Sequence, residues 1–127
     1  MSTFSSLGIH NDYIKAIKEL GISNPSEIQE KTIPVLLKSV TDFIGLAQTG
    51  TGKTAAFGLP VLHHIDASSD HIQALILSPT RELVQQIKKQ LFKFTKFRED
   101  KIFVEAVFGG EKIDRQMNMI RASINMV

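Results

Sequence analysis

Eight consecutive residues, Ala-Gln-Thr-Gly-Thr-Gly-Lys-Thr at positions 47–54, combine the groups that hold a phosphate chain. Gly50 and Gly52 let the backbone approach an anion closely, so that N–H groups of the loop can point at its oxygens. Lys53 supplies positive charge, and Thr54 supplies a hydroxyl for Mg²⁺. The segment therefore predicts a phosphate-binding loop, although Ala47 stands where the usual pattern begins with glycine. A flexible turn with an exposed lysine is the alternative that the eight residues leave open.

A phosphate-binding loop needs a strand before it and a helix after it. The apolar run 42–47 predicts a short buried strand, and 53–65 has a helical pattern that Gly58 weakens and Pro60 is expected to kink. The sequence therefore predicts the strand, loop and helix order that the chemistry requires.

The rest of the chain alternates helical and strand patterns between turn signals. Strand patterns cover 72–78 and 101–108, and 123–127 resembles the opening of a further strand without a visible end. Helical patterns cover 11–20, 26–39, 80–97 and 111–121, with the second expected to be two short helices because Pro34 would open a new one. The alternation predicts an α/β fold, with a parallel β-sheet and helices on both faces.

The bulk composition is that of one ordinary globular domain. The chain has 127 residues, of which 43% are hydrophobic and 22% charged, and it contains no cysteine. A net charge of +2 is too small to indicate a nucleic-acid partner by itself. Because no apolar run approaches the ~18 residues of a membrane span and no secretory signal opens the chain, we expect a cytoplasmic protein without a membrane partner.

Two segments that flank the loop carry side chains suited to a nucleotide or a nucleic acid. The amide of Gln29 can both donate and accept, as the edge of adenine requires, and Phe4 could stack on a base. Thr80 and Arg81 begin a helix after a strand, where they could hold a phosphate, and the 109–110 glycine pair could admit a nucleic-acid backbone. Each also has a purely structural alternative: a solvated glutamine, a packed phenylalanine, a helix cap and a turn.

The combination is more informative than its parts. The order "GISNPSEIQ", "AQTGTGKT", "SPTRELVQQ" and "FGG", from about Phe4 to Val127, resembles the N-terminal part of a DEAD-box RNA helicase, a family that uses alanine at the position of Ala47. The resemblance implies a RecA-like P-loop fold that is truncated before completion. It divides the chain into an adenine-recognition (Q-motif) helical segment at 1–40 and the N-terminal portion of the first RecA-like ATP-binding domain at 41–127.

The same resemblance implies roles for individual residues. Phe4 and Gln29 would recognise adenine, Lys53 and Thr54 would serve ATP chemistry, and the Thr54 hydroxyl would bind Mg²⁺. Further contacts to ATP would come from the loop residues Gln48, Thr49, Gly50, Thr51 and Gly52. The backbone of single-stranded RNA would be bound, without preference for base sequence, by Pro79, Thr80, Arg81, Gly109 and Gly110.

The 127 residues contain no Asp-Glu-Ala-Asp string and no second RecA-like domain, which the family uses to position water and to supply arginine charge. We therefore expect an N-terminal piece of a longer helicase that unwinds short RNA duplexes by domain closure, with negligible ATP hydrolysis by this piece alone. We also expect an apolar sheet edge that makes the piece marginally stable or lets it dimerise. A non-catalytic nucleotide-binding or RNA-clamping module and a P-loop kinase remain alternatives.

Overall fold

The computed structural model describes residues 2–122 and 125–127. This part of the chain contains five helices, and all of them fall where the helical patterns predict. They are α1 (Asn11–Glu19), α2 (Glu27–Lys38), α3 (Lys53–His64), α4 (Arg81–Phe94) and α5 (Ile113–Arg121). Each helix in the described part is too short or too polar to span a bilayer.

Helix α2 corrects the prediction of two short helices around Pro34. It runs unbroken from Glu27 to Lys38 with Pro34 inside. A proline at this position removes one main-chain hydrogen bond, but Ile33 before it is fully buried and Leu37 after it packs against the same core, which favours continuing the helix. Tertiary packing therefore outweighs the local cost of the proline.

Three predicted strand segments meet in parallel, although only through single bridges. Met126 pairs with Ala74 on one side and with Val104 on the other. The main-chain N–H of Glu105 donates to the carbonyl of Met126 at 3.0 Å, and that of Val127 donates to Ala74 at 3.1 Å. The 125–127 segment thus lies between 72–78 and 101–108, while the first two residues of the predicted strand 123–127 lie outside the described residues.

Asn125 supports this pairing with its side chain. Its Oδ1 accepts from the N–H of Phe103 at 2.9 Å, and its Nδ2 donates to the carbonyl of Ser69 at 3.1 Å. Because Asn125 is only 2% exposed, these bonds satisfy an amide that would be costly to bury unpaired.

The prediction of a buried strand at 42–47 is wrong for this structure. Ile44 and Leu46 are 90% and 91% exposed, and the segment forms no bridge with any described residue. A strand gains its stability from hydrogen bonds and side-chain contacts with neighbours. Here the 72–78 segment, which bridges to 125–127, forms no bridge to 42–47.

One apolar core joins the N-terminal segment to the rest of the chain. Ile17 of α1 and Ile33 of α2 are fully buried in the same cluster as Leu59 of α3 and Leu91 of α4. Helix α2 packs on α3, and α4 packs on both α1 and α3. This shared core fixes α2, and with it Gln29, relative to the loop at 47–54.

Candidate functional site

The loop at 47–54 turns sharply at its two glycines. Gly50 and Gly52 have φ of 77° and 83°, values that side-chain-bearing residues rarely adopt. Gly52 is the N-cap of α3, so Lys53 and Thr54 are the first two residues of that helix. The loop therefore delivers its lysine and its hydroxyl to a helix N-terminus, where the macrodipole favours negative charge.

Gln29 on α2 is bonded directly to this loop. Its Nε2 donates to the carbonyl of Gly52 at 3.0 Å, and its Oε1 accepts from the N–H of Ser26 at 3.0 Å. A Cβ atom at position 52 would lie 2.3 Å from Nε2 of Gln29. Glycine is therefore required at position 52 both by its φ and by the approach of this amide.

Ser26 forms a second bond between α2 and the loop. Its Oγ donates to the carbonyl of Thr51 at 2.7 Å, next to the carbonyl that Gln29 holds. Because the C=O and N–H of a trans peptide point in opposite directions, tying the Thr51 and Gly52 carbonyls to α2 turns the N–H groups of Gly52 and Lys53 away from it. Two adjacent N–H donors at a helix start form a cradle for an anion.

The lysine of the loop is folded back across it. The Nζ of Lys53 donates to the carbonyl of Ala47 at 2.7 Å, and the hydroxyl of Thr51 donates to the carbonyl of Gln48 at 2.7 Å. Lys53 and Thr54 also line a cavity of about 620 Å³ that α4 borders from the other side. A phosphate oxygen would offer Lys53 a stronger, charge-assisted bond than the Ala47 carbonyl does.

Phe4 lies away from open surface. It is 3% exposed and packs in the core cluster with Ile9 and Tyr13. The structure thus places this ring as a packed side chain, and its contact with a base stays a prediction.

The second set of predicted residues also comes together. The guanidinium of Arg81, at the start of α4, lies over the ring of Phe108 at 5.9 Å from its centroid. One of its nitrogens would be 2.8 Å from a Cβ at position 110, where φ is 90°. Because glycine leaves this space empty, the guanidinium lies directly against the backbone of the 109–110 turn.

Thr80 and Pro79 complete this surface. The hydroxyl of Thr80 accepts from the N–H of Leu83 at 3.2 Å, so Thr80 is a helix cap. Pro79 precedes it and is exposed. The cap does not exclude a phosphate contact, because the other N–H groups of the first turn of α4 remain as donors.

Sequence reasoning missed three residues that hold these groups in place. Ser26 carries one of the bonds to the loop, and the ring of Phe108 carries Arg81. Gln116 on α5 donates to the carbonyl of Phe108 at 3.1 Å and accepts from its N–H at 2.9 Å, which fixes the end of the 101–108 segment. Only Ser26 had a local signal, because Ser-x-x-Gln before a helix is the capping-box spacing.

Comparison with known proteins gives one consistent result. The sequence profile described as DEAD/DEAH box helicase matches residues 26–127. The chain is 44% identical over 127 residues to the ATP-dependent RNA helicase CshA of Listeria monocytogenes, covering 100% of the chain and 24% of that protein. It therefore spans about a quarter of the length of the curated relatives it matches.

Solved structures agree with the sequence match. A DEAD box protein from Methanococcus jannaschii superposes with a TM-score of 0.91 at 30% identity, over 98% of the chain and 33% of that protein. Yeast Dbp5 bound to RNA and ADP BeF3 gives a TM-score of 0.78 at 28% identity, over 100% of the chain and 32% of that protein.

Proposed function

Because the chain belongs to the DEAD/DEAH box helicase family and has its RecA-like fold, we propose that it is the ATP-binding part of an ATP-dependent RNA helicase. The observation that carries the proposal is the pair of bonds from Ser26 and Gln29 to consecutive loop carbonyls. These bonds leave the N–H groups at the start of α3 free to face a triphosphate, beside the ammonium of Lys53.

The residues of the loop fit ATP with Mg²⁺. The backbone from Gln48 to Gly52 would surround the phosphates, and Lys53 would leave the Ala47 carbonyl to pair with them. Thr54 would give Mg²⁺ one hydroxyl ligand, with phosphate oxygens and water completing the shell. Lys53 and Thr54 thus act on the reacting phosphates by charge and position.

Gln29 would also select the base. After its two internal bonds, the amide keeps one N–H and one oxygen lone pair, a donor and an acceptor for the edge of adenine. Because its bonds to Ser26 and Gly52 fix the amide beside the loop, we propose that this one amide both positions the loop and recognises the base.

Arg81, with the 109–110 glycines and the N-terminus of α4, would bind RNA. The guanidinium suits a phosphate, and the glycine pair leaves room for a sugar-phosphate backbone. Contacts to phosphate carry no base preference, so binding would be independent of sequence. The likeness to Dbp5, whose structure holds RNA and ADP BeF3, supports this assignment.

In the whole helicase, closure of two RecA-like domains on ATP and RNA would separate short duplexes by favouring the state that binds both ligands. The 127 residues contain no Asp-Glu-Ala-Asp string, so we propose that this chain alone binds ATP without hydrolysing it at a significant rate. RNA-stimulated release of phosphate by the purified chain would contradict that. The cytoplasmic location, the division at residue 40 and dimerisation stay predictions.

A base-selection experiment tests the proposal. We expect the chain to bind ATP in preference to GTP, and Gln29→Ala to remove a preference of about tenfold, the discrimination that a bidentate amide contact provides. Ser26→Ala is the matched control. It removes a bond to the loop but no contact to the base, so the binding of ATP and that of GTP should weaken by the same factor. Isothermal titration of each variant with both nucleotides measures this, and an unchanged ratio in Gln29→Ala would exclude base selection by Gln29.

A further inference from the structure

A basic groove with exposed aromatic rings lies on the chain apart from the residues assigned above. It runs between the C-terminal half of α4 and residues 101–104 and has a volume of about 630 Å³. Five of its lining residues are Lys or Arg, and only Asp100 is acidic. For a chain with a net charge of +2, this is a local concentration of positive charge.

Two phenylalanines border the groove with their rings largely in solvent. Phe92 is 69% exposed and Phe103 is 52% exposed. The buried side of α4 is filled by Leu91 and Phe94, at 0% and 2% exposure, so the helical period turns Phe92 away from the core. These rings therefore offer apolar surface that no described residue covers.

The positive charges of the groove are only partly neutralised. Arg98 pairs with Asp100, and this guanidinium keeps the pKa of the Asp100 carboxyl below its usual range, so both groups are charged at neutral pH. Lys88 pairs with Glu105, and Lys96 with Glu19. Within residues 2–122 and 125–127, Lys93 and Lys101 form no ion pair.

We propose that this groove is a second contact site for single-stranded RNA, continuous with the surface around Arg81. The inference rests on the proposed function, since it lengthens the path of the same RNA. A positively charged groove with flat aromatic faces is the combination that binds single strands without sequence preference, because phosphates pair with the cations and bases stack on the rings.

The groove connects to the first site along α4. Lys88 lines both this groove and a smaller cavity of about 210 Å³ that includes Phe108, the residue under Arg81. Phe92 lies eleven positions after Arg81 on this helix, which is about 16 Å at the helical rise. A strand of about 12 nucleotides would reach both sites, whereas one of about 4 nucleotides would occupy a single site.

RNA length separates the two sites in an experiment. The intact chain is titrated into fluorescein-labelled single strands of about 4 and about 12 nucleotides, and binding is followed by anisotropy. We expect Phe92→Ala to weaken binding of the longer strand by about tenfold through lost stacking, with the shorter strand unaffected. Replacing Lys93 and Lys101 together by Gln should flatten the salt dependence on the longer strand by about 1.4 in log–log slope.

Lys38→Gln is the matched control. It removes an exposed lysine from α2, a helix that contributes no residue to the lining of the groove. It should leave both strands unaffected. Phe92 and the two lysines are exposed, so the variants should unfold at the wild-type temperature.

If the groove variants bind the longer strand with wild-type affinity and still bind the shorter strand, the groove is not an RNA site. The proposed RNA site around Arg81 would be unaffected by that result. The same variants would then be titrated with an acidic peptide, and weaker peptide binding than in the wild type would assign the groove to a protein partner. If the wild-type chain binds neither strand, both the groove and the RNA part of the proposed function are wrong.

Discussion

The side chain of Gln29 makes contacts that link two separate parts of the site. Its amide is buried, accepts from the start of its own helix and donates to the last residue before α3. Sequence reasoning identified an amide suited to a base, but it could not show that the same amide holds the loop. The Ser-x-x-Gln spacing predicts the bond within α2, whereas the bond to Gly52 depends on how α2 packs on α3, which no local pattern encodes.

Gly52→Ala tests this contact. The added Cβ would lie 2.3 Å from Nε2 of Gln29 at a φ of 83°, so the loop or the amide must move. We expect a loss of stability of about 1–3 kcal/mol from the left-handed backbone and displaced contact, and ATP binding weaker by at least about tenfold. Thermal unfolding and nucleotide titration measure the two effects.

Gly50→Ala is the control for that change. Gly50 has a similar φ of 77°, but a Cβ there meets nothing within 4 Å. Its cost should therefore come from the backbone alone. Equal losses of ATP binding in both variants would show that the Gln29 contact contributes nothing to the loop.

The elements differ in how well the sequence predicts them. All five helices follow from their apolar period. Helices α1 to α4 bury one face in a shared core, whereas α5 has no buried residue. The 42–47 strand did not form, because a strand depends on neighbours that its own sequence does not contain. Both α4 and the 109–110 turn follow strands of the predicted parallel sheet, so the sequence predicts that they lie at the same edge of the sheet. It does not predict the contact between Arg81 and the turn. The ring of Phe108 and the bonds of Gln116 were not predictable either, since both depend on side-chain placement.

Helix α1 is held by a polar link that can be tested at this scale. The hydroxyl of Tyr13 donates to the carbonyl of Leu62 at 3.0 Å and accepts from Arg98 at 2.9 Å. Burial raises the pKa of Tyr13, so the phenol stays protonated and able to donate. We expect Tyr13→Phe to lower the free energy of unfolding by about 1–3 kcal/mol, because it leaves the Leu62 carbonyl and Arg98 without this partner.

Asp100→Asn is the comparison for Tyr13→Phe. It removes the partly exposed ion pair with Arg98 but leaves the tyrosine bonds, so its cost should be below about 1 kcal/mol. Denaturant unfolding of both variants measures the difference. A Tyr13→Phe chain as stable as the wild type would show that the link does not hold α1 in place.

At the scale of the whole molecule, the structure brings together segments far apart in sequence. The core joins α1 and α2 to α3 and α4, and so places Ser26 and Gln29 against a loop about 25 residues further along. The order of the four motifs was enough to identify the family, because several short patterns must coincide in it. The groove at Phe92 and Phe103 was not predictable, since its residues pack together only after α4 has folded onto the 101–104 segment.

Binding of ATP with Mg²⁺ to the intact chain, compared between wild type and Lys53→Ala, tests the central claim most directly. Lys53 lies inside the loop, bonded to the carbonyl of Ala47, and is the lysine that would pair with the phosphates. We predict that isothermal titration detects ATP binding by the wild type and by a Lys18→Ala control on α1, and that Lys53→Ala weakens it by at least about tenfold, a loss expected for a hydrogen bond to a charged group. Equal affinity of Lys53→Ala and wild type would contradict the assignment of this loop as the phosphate site.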